Sequence, residues 1–223
     1  MLYEGKYNLK ANLLSEQNDV QPRVKSGTVA ENLARIHFGM DLLGVNVGPG
    51  EADLPTGEGT YECKSGSLIA AEITNAAPHG AEMKALARSF GGKAAGAQKA
   101  INKGWAQMKD AEGNPAYKSE ADYLQKVASW YVGTKSADGV ILVSNAPQVV
   151  RLLVSEFGPN ARKTATKEQL EEKAAAAGCV VSLAEFVPEK LDVVRVSSYG
   201  ETRRGTRIKL DIRPKGAKIL KKF

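Results

Sequence analysis

The sequence predicts an α/β fold in which a central mixed sheet is flanked by helices, and three features carry that expectation. Helix-like and strand-like patterns succeed one another in the order helix, strands, helix, strand, helix, strand. The run VILVS after Asp138-Gly139 has the length and apolar content of a buried strand. The segments PQVVRLLVSEF and KEQLEEKAAAAG are helical, one with Pro147 near its first turn and the other ending at Gly178. A chain of 223 residues is long enough for one sizeable domain, with or without an appendage.

Taken in order, residues 1–22 are polar and mixed, an N-terminal arm closed by Pro22. A helix is expected from Thr28, where Glu31 three residues on completes a capping box. Leu33, Ile36, Leu42 and Leu43 would form its apolar face and Gly44 would stop it. VNVG reads as a short strand, and a Gly- and Pro-rich turn follows. Tyr61–Leu68 reads as a strand, with Ile69–Thr74 either prolonging it or starting a separate element. Ala81–Met108 is mostly helical, interrupted at Gly91-Gly92, and YLQKVASWYVG fits a helix or a strand. CVVSLAEFV is a further strand. The body of the fold is expected over 23–194, leaving 195–223 as a basic C-terminal segment.

Composition narrows the function classes. The 43% hydrophobic and 25% charged content is ordinary for a globular protein. No run approaches the ~18 apolar residues of a membrane span, and the N-terminal stretch lacks the apolar core of a secretory signal. With Cys63 and Cys179 the only cysteines, no disulfide framework or zinc spacing exists. The expectation is a cytoplasmic protein, of a cell or of a virus-infected host, with no membrane partner. The net charge of +6 biases the chain towards polyanions. Beyond Arg195 there are many bases and only two acids, a segment suited to lie along phosphates.

The residues with chemistry lie in GPGEADLPTGEGTYECKSG, from Gly48 to Gly66. On a strand, Glu62 and Lys64 share a face while Cys63 points the other way. The turn between Asp53 and Glu62 can fold the two acids towards each other. Two carboxylates and an ammonium at a sheet edge can hold a divalent metal and a water beside a phosphate. Other Glu-x-Lys triplets, at Glu4, Glu82 and Glu171, lack this context. An ordinary solvent-facing hairpin with a surface ion pair is the bland alternative.

Asp53, Glu62 and Lys64 resemble the core motif of the PD-(D/E)XK nuclease superfamily, over roughly residues 23–150. Ala52 stands where the motif has Pro. The resemblance implies a restriction-endonuclease-like core and a metal-dependent deoxyribonuclease of restriction, homing or junction-resolving type. Asp53 and Glu62 would be Mg²⁺ ligands, joined by the backbone carbonyl of Cys63. Mn²⁺ often replaces Mg²⁺ at such oxygen sites. Lys64 would position the attacking water or stabilise developing charge. Glu31, on the first helix, would be a catalytic helper, and Gln98 and Lys99 resemble a polar pair that some members carry on a later helix.

Lys25, Lys93, Gln98, Lys99, Arg203, Arg204 and Arg207 are the candidate DNA contacts. His37 reads as structural, and His79 falls in a loop. The glycine-rich pieces match no phosphate-binding loop, so no nucleotide cofactor is expected. One catalytic constellation per chain cuts one strand, so duplex cleavage would call for a homodimer or higher oligomer. The competing reading is a non-catalytic nucleic-acid-binding accessory protein, for example of viral replication or packaging.

Overall fold

The computed structural model describes residues 26–43, 54–202 and 205–223. In chain order these form helix α1 (residues 26–37), strands β1 (Leu54–Thr56), β2 (Gly59–Ser65) and β3 (Ile69–Ile73), and helices α2 (Gly80–Ser89), α3 (Ala94–Gly104) and α4 (Glu120–Gly133). Strand β4 (Gly139–Val143) and helices α5 (Ala146–Phe157), α6 (Ala161–Thr164) and α7 (Lys167–Ala176) follow. The chain ends on β5 (Val180–Glu185), β6 (Leu191–Thr202), β7 (Gly205–Pro214) and β8 (Lys218–Lys222). The class is mixed α/β, as the sequence predicts.

The chain divides into two compact units, each discontinuous in sequence. The first comprises the described residues up to Ser67 together with Ile141–Leu183 and Lys218–Phe223; the second comprises Leu68–Val140 and Ala184–Ala217.

The first unit is organised around a mixed five-stranded sheet of order β1-β2-β4-β5-β8. Strands β1 and β2 form a tight antiparallel hairpin, with Leu54 opposite Tyr61 and Thr56 opposite Gly59. Thr56 clips its turn, donating from Oγ1 to the Gly59 carbonyl at 2.9 Å and accepting from the Glu58 amide at 3.2 Å. Strands β2 and β4 leave the sheet side by side, the Gly66 amide donating to the Val143 carbonyl at 2.7 Å. All five residues of β4 are buried, as its apolar run demands. Val29, Leu33 and Ile36 of α1, Val149 and Leu153 of α5, and Leu170 of α7 build the core with Leu54, Tyr61, Cys63, Ile141 and Val181.

Helix α1 departs from expectation at both ends. Ser26 is already helical, so Thr28 and Glu31 lie inside the helix and form no capping box at its start. It closes at Gly39, whose φ of 66° suits a residue without Cβ, while the Met40 amide donates to the Arg35 carbonyl at 2.9 Å. Leu42 and Leu43 therefore lie past the helix, and the Leu43 amide is held by the Asn32 side-chain oxygen at 2.8 Å.

The second unit pairs a three-stranded antiparallel sheet, order β3-β7-β6, with helices α2, α3 and α4. Ile69, Ala71 and Ile73 of β3 and Ile208, Leu210 and Ile212 of β7 supply the buried face. Helices α2 and α3 meet closely because Gly96 and Gly104 present no side chain there; a Cβ on Gly96 would stand 2.5 Å from the Phe90 carbonyl oxygen. The break between them falls at Gly91 and Gly92, both with positive φ. Ile69–Ile73 is thus a separate strand in another sheet, and β2 stops at Ser65. The basic C-terminal segment 195–223 contributes strands to both sheets, and the boundary placed at 194/195 falls within β6. No helix among the described residues is long and apolar enough to cross a membrane.

Candidate active site

Strand β2 sorts its side chains by alternation. Tyr61 and Cys63 join the apolar core, which sends Glu62 and Lys64 to the opposite face. Glu62 is only 4% exposed. Its Oε1 lies 2.5 Å from Lys64 Nζ. A carboxylate this buried is strongly disfavoured without a partner, and a same-face ammonium two residues along supplies one. The Lys64 side chain remains 25% exposed, so the pair has a wet end and a dry end.

Glu31 lies on α1, one turn before Arg35, whose Nε approaches Glu31 Oε1 at 3.4 Å. Arg35 Nη1 also donates to the Asp41 carbonyl at 3.3 Å. Each side chain of the pair is 13% exposed, so this is a sheltered pairing and not a solvated i,i+4 bridge. Arg35 was not singled out in the sequence, although its spacing from Glu31 was the available signal. The Cys63 thiol faces the core.

Asp53, Lys25, Arg203 and Arg204 lie outside the described residues. Lys93, Gln98 and Lys99 belong to the second unit, at the start and on the body of α3. Gln98 is engaged there: its Oε1 accepts from the Val196 amide at 2.7 Å and its Nε2 donates to Asn102 at 2.6 Å. Val196 borders a register shift in the β6–β7 ladder, so Gln98 satisfies an amide beside that irregularity. Lys99 Nζ sits 4.6 Å from the centre of the Phe90 ring. Arg207, on β7, makes bonds of 2.9 and 2.5 Å to Glu72, and they hold the Glu72 carboxyl below its ordinary range.

Both histidines have structural settings. His37 packs edge-on against Phe38, and burial, then Lys221, pushes its pKa down. His79 precedes α2 with a φ of 48°. Its Nδ1 is 2.6 Å from the Tyr117 hydroxyl and its Nε2 is 3.0 Å from the Lys109 carbonyl. An Nε2–H tautomer, donating to that carbonyl and accepting from Tyr117, satisfies both contacts.

Among the described residues no group of three His, Cys, Asp or Glu side chains is spaced to hold a metal. The structure therefore brings Glu62, Cys63 and Lys64 together on one strand, with Glu31 on a helix of the same unit. No protein-family model, curated protein or solved structure matches the chain.

Proposed function

We propose that the protein is a Mg²⁺-dependent DNA endonuclease of the PD-(D/E)XK kind, acting on restriction, homing or junction-type substrates. The carrying observation is the β1–β2 register. Leu54 pairs with Tyr61, so the residue next to Asp53 lies against the residue next to Glu62. Glu62 and Lys64 share one face of the same strand, and helix α1 precedes the hairpin in a mixed sheet. These features support a restriction-endonuclease-like core.

The donor set suits a hard cation. The carboxylates of Asp53 and Glu62 and the carbonyl of Cys63 are oxygen ligands of the type Mg²⁺ accepts. When bound, the cation would acidify a coordinated water and offset phosphate charge. Glu62 supplies a carboxylate already desolvated on its strand and held by Lys64. Lys64, partly open to solvent, holds a positive charge where the phosphate's negative charge grows during attack. Arg35 fixes the carboxylate of Glu31, the candidate helper. The setting is the cytoplasm of a cell or of a virus-infected host, and duplex cleavage would be the work of a homodimer or higher assembly.

The excess of bases near the C-terminus also fits a non-catalytic nucleic-acid-binding protein, and metal-dependent cleavage separates the two readings. Supercoiled plasmid and a synthetic four-way junction are incubated with Mg²⁺ or EDTA, beside the Lys64→Ala and Asp53→Asn proteins. Cutting that needs Mg²⁺ and is lost in both variants is expected. Cutting that persists at full rate in Lys64→Ala would sink the assignment.

A further inference from the structure

The chain's positive charge is unevenly distributed. Residues 195–223 hold ten Lys or Arg (195, 203, 204, 207, 209, 213, 215, 218, 221, 222) and two Asp or Glu (201, 211), a net of +8. Since the whole chain is +6, the other 194 residues net −2. Most of the described part of this segment is strand, so the fold decides which way these bases face.

On β7 the decision is clear. Thr206, Ile208, Leu210 and Ile212 are buried, while Arg207, Lys209, Asp211 and Arg213 lie on the alternate face. Register adds Ala70 and Glu72 from β3, opposite Asp211 and Lys209. From β6 it adds Asp192, Arg195, Ser198 and Gly200, opposite Arg213, Asp211, Lys209 and Arg207. Each acid on this face has a basic partner: Glu72 with Arg207, Asp211 with Arg195, Asp192 with Lys215. Lys209 and Arg213 are therefore charge in excess. The small residues Ala70, Ser198 and Gly200 keep the surface around them low. Same-face residues on a strand recur about every 6.8 Å, so Lys209 and Arg213, two such steps apart with the paired Asp211 between them, stand about 14 Å from each other and are placed to meet two separate, non-adjacent phosphates of one strand.

We infer that the outer face of the β3-β7-β6 sheet is a docking surface for the phosphate backbone of duplex DNA, with Lys209 and Arg213 as its principal contacts. The choice of ligand rests on the nuclease reading; the location of the surface does not. Arg207, named from sequence as a DNA contact, acts here through its pairing with Glu72, which helps keep the face rigid.

The test is the salt dependence of duplex binding by the full chain in EDTA, which prevents cutting. Each phosphate contact contributes about 0.9 to the slope of log K against log salt. The Lys209→Ala/Arg213→Ala protein is expected to lose about 1.8 from that slope, and the Lys209→Gln/Arg213→Gln pair should lose the same. Lys118→Ala/Lys126→Ala, which removes two exposed charges at and before α4, should leave it unchanged. Lys64→Ala should fail to cut in Mg²⁺, and adding Lys209→Ala/Arg213→Ala to it should still remove about 1.8 from its slope in EDTA, so the catalytic reading stands or falls separately. A wild-type slope in both Lys209/Arg213 variants would overturn the inference. So would binding of poly-glutamate in place of DNA, or an equal loss in the Lys118/Lys126 control.

Discussion

At the scale of single residues, burial decides what polar groups can do. Glu62 tolerates near-complete burial because Lys64 is bonded to it. Tyr123 is also fully buried, its ring edge-on to Tyr117 at 5.0 Å, but its hydroxyl has no hydrogen-bond partner among the described residues. An unsatisfied buried hydroxyl costs about 1–3 kcal/mol. Tyr123→Phe is therefore expected to stabilise the protein by about 1 kcal/mol, read as a higher urea midpoint at neutral pH. Burial also pushes the Tyr123 pKa well above its ordinary value of 10.0. Above that value the unfolded phenol gives up its proton while the folded one keeps it. Stability is fully present below pH 10 and falls as pH rises beyond it. Tyr123→Phe should flatten that alkaline fall, and an unchanged slope would place its origin elsewhere. The spacing of Glu62 and Lys64 made their shared face legible, because alternation on a strand needs no tertiary information. The depth of Glu62 was not legible, since it depends on what covers the sheet.

At the scale of elements, glycines separate what the sequence tells from what it hides. Gly91-Gly92 marks the break between α2 and α3 openly. Gly96, inside α3, looks like a weak helix position, where Ala would gain about 1 kcal/mol of helix propensity. The structure reverses that sign, because a Cβ there would meet backbone atoms of Phe90 and Ala87. Gly96→Ala is expected to cost about 1–3 kcal/mol through overpacking, lowering the urea midpoint with an unchanged m-value. Gly133, at the end of α4, has nothing within 4 Å of the corresponding Cβ. Gly133→Ala should be neutral or stabilising by up to about 1 kcal/mol; equal losses in the two variants would refute the packing explanation. The end of α1 shows the reverse error. Leu42 and Leu43 keep an apolar rhythm, but Gly39 has already turned the chain, and periodicity cannot detect a backbone reversal.

At the scale of the whole molecule, strand partnership was the hidden quantity. Ile69 pairs with Ile212 and Val181 with Lys221, contacts between segments whose local patterns show strand character but carry no label for a partner. The basic C-terminal segment was consequently read for its charge alone, whereas its last residues form an edge strand of the first unit. β8 runs antiparallel to β5, and the Phe223 amide donates to the Cys179 carbonyl at 3.0 Å. Leu220 and Phe223 are partly buried against the core, and Lys221 reaches Glu171 at 3.0 Å. The partly exposed ion pair contributes at most about 1 kcal/mol, while two half-buried apolar side chains together contribute about 2–3 kcal/mol. Deleting 218–223 should thus destabilise the first unit mainly through lost apolar contact, with little dependence on salt. Hydrogen exchange of the shortened protein is expected to show lost protection at β5 amides and retained protection at β6 and β7, since neither pairs with β8. Equal loss in β5 and β7 would mean that the two units unfold as one cooperative body despite their separate sheets.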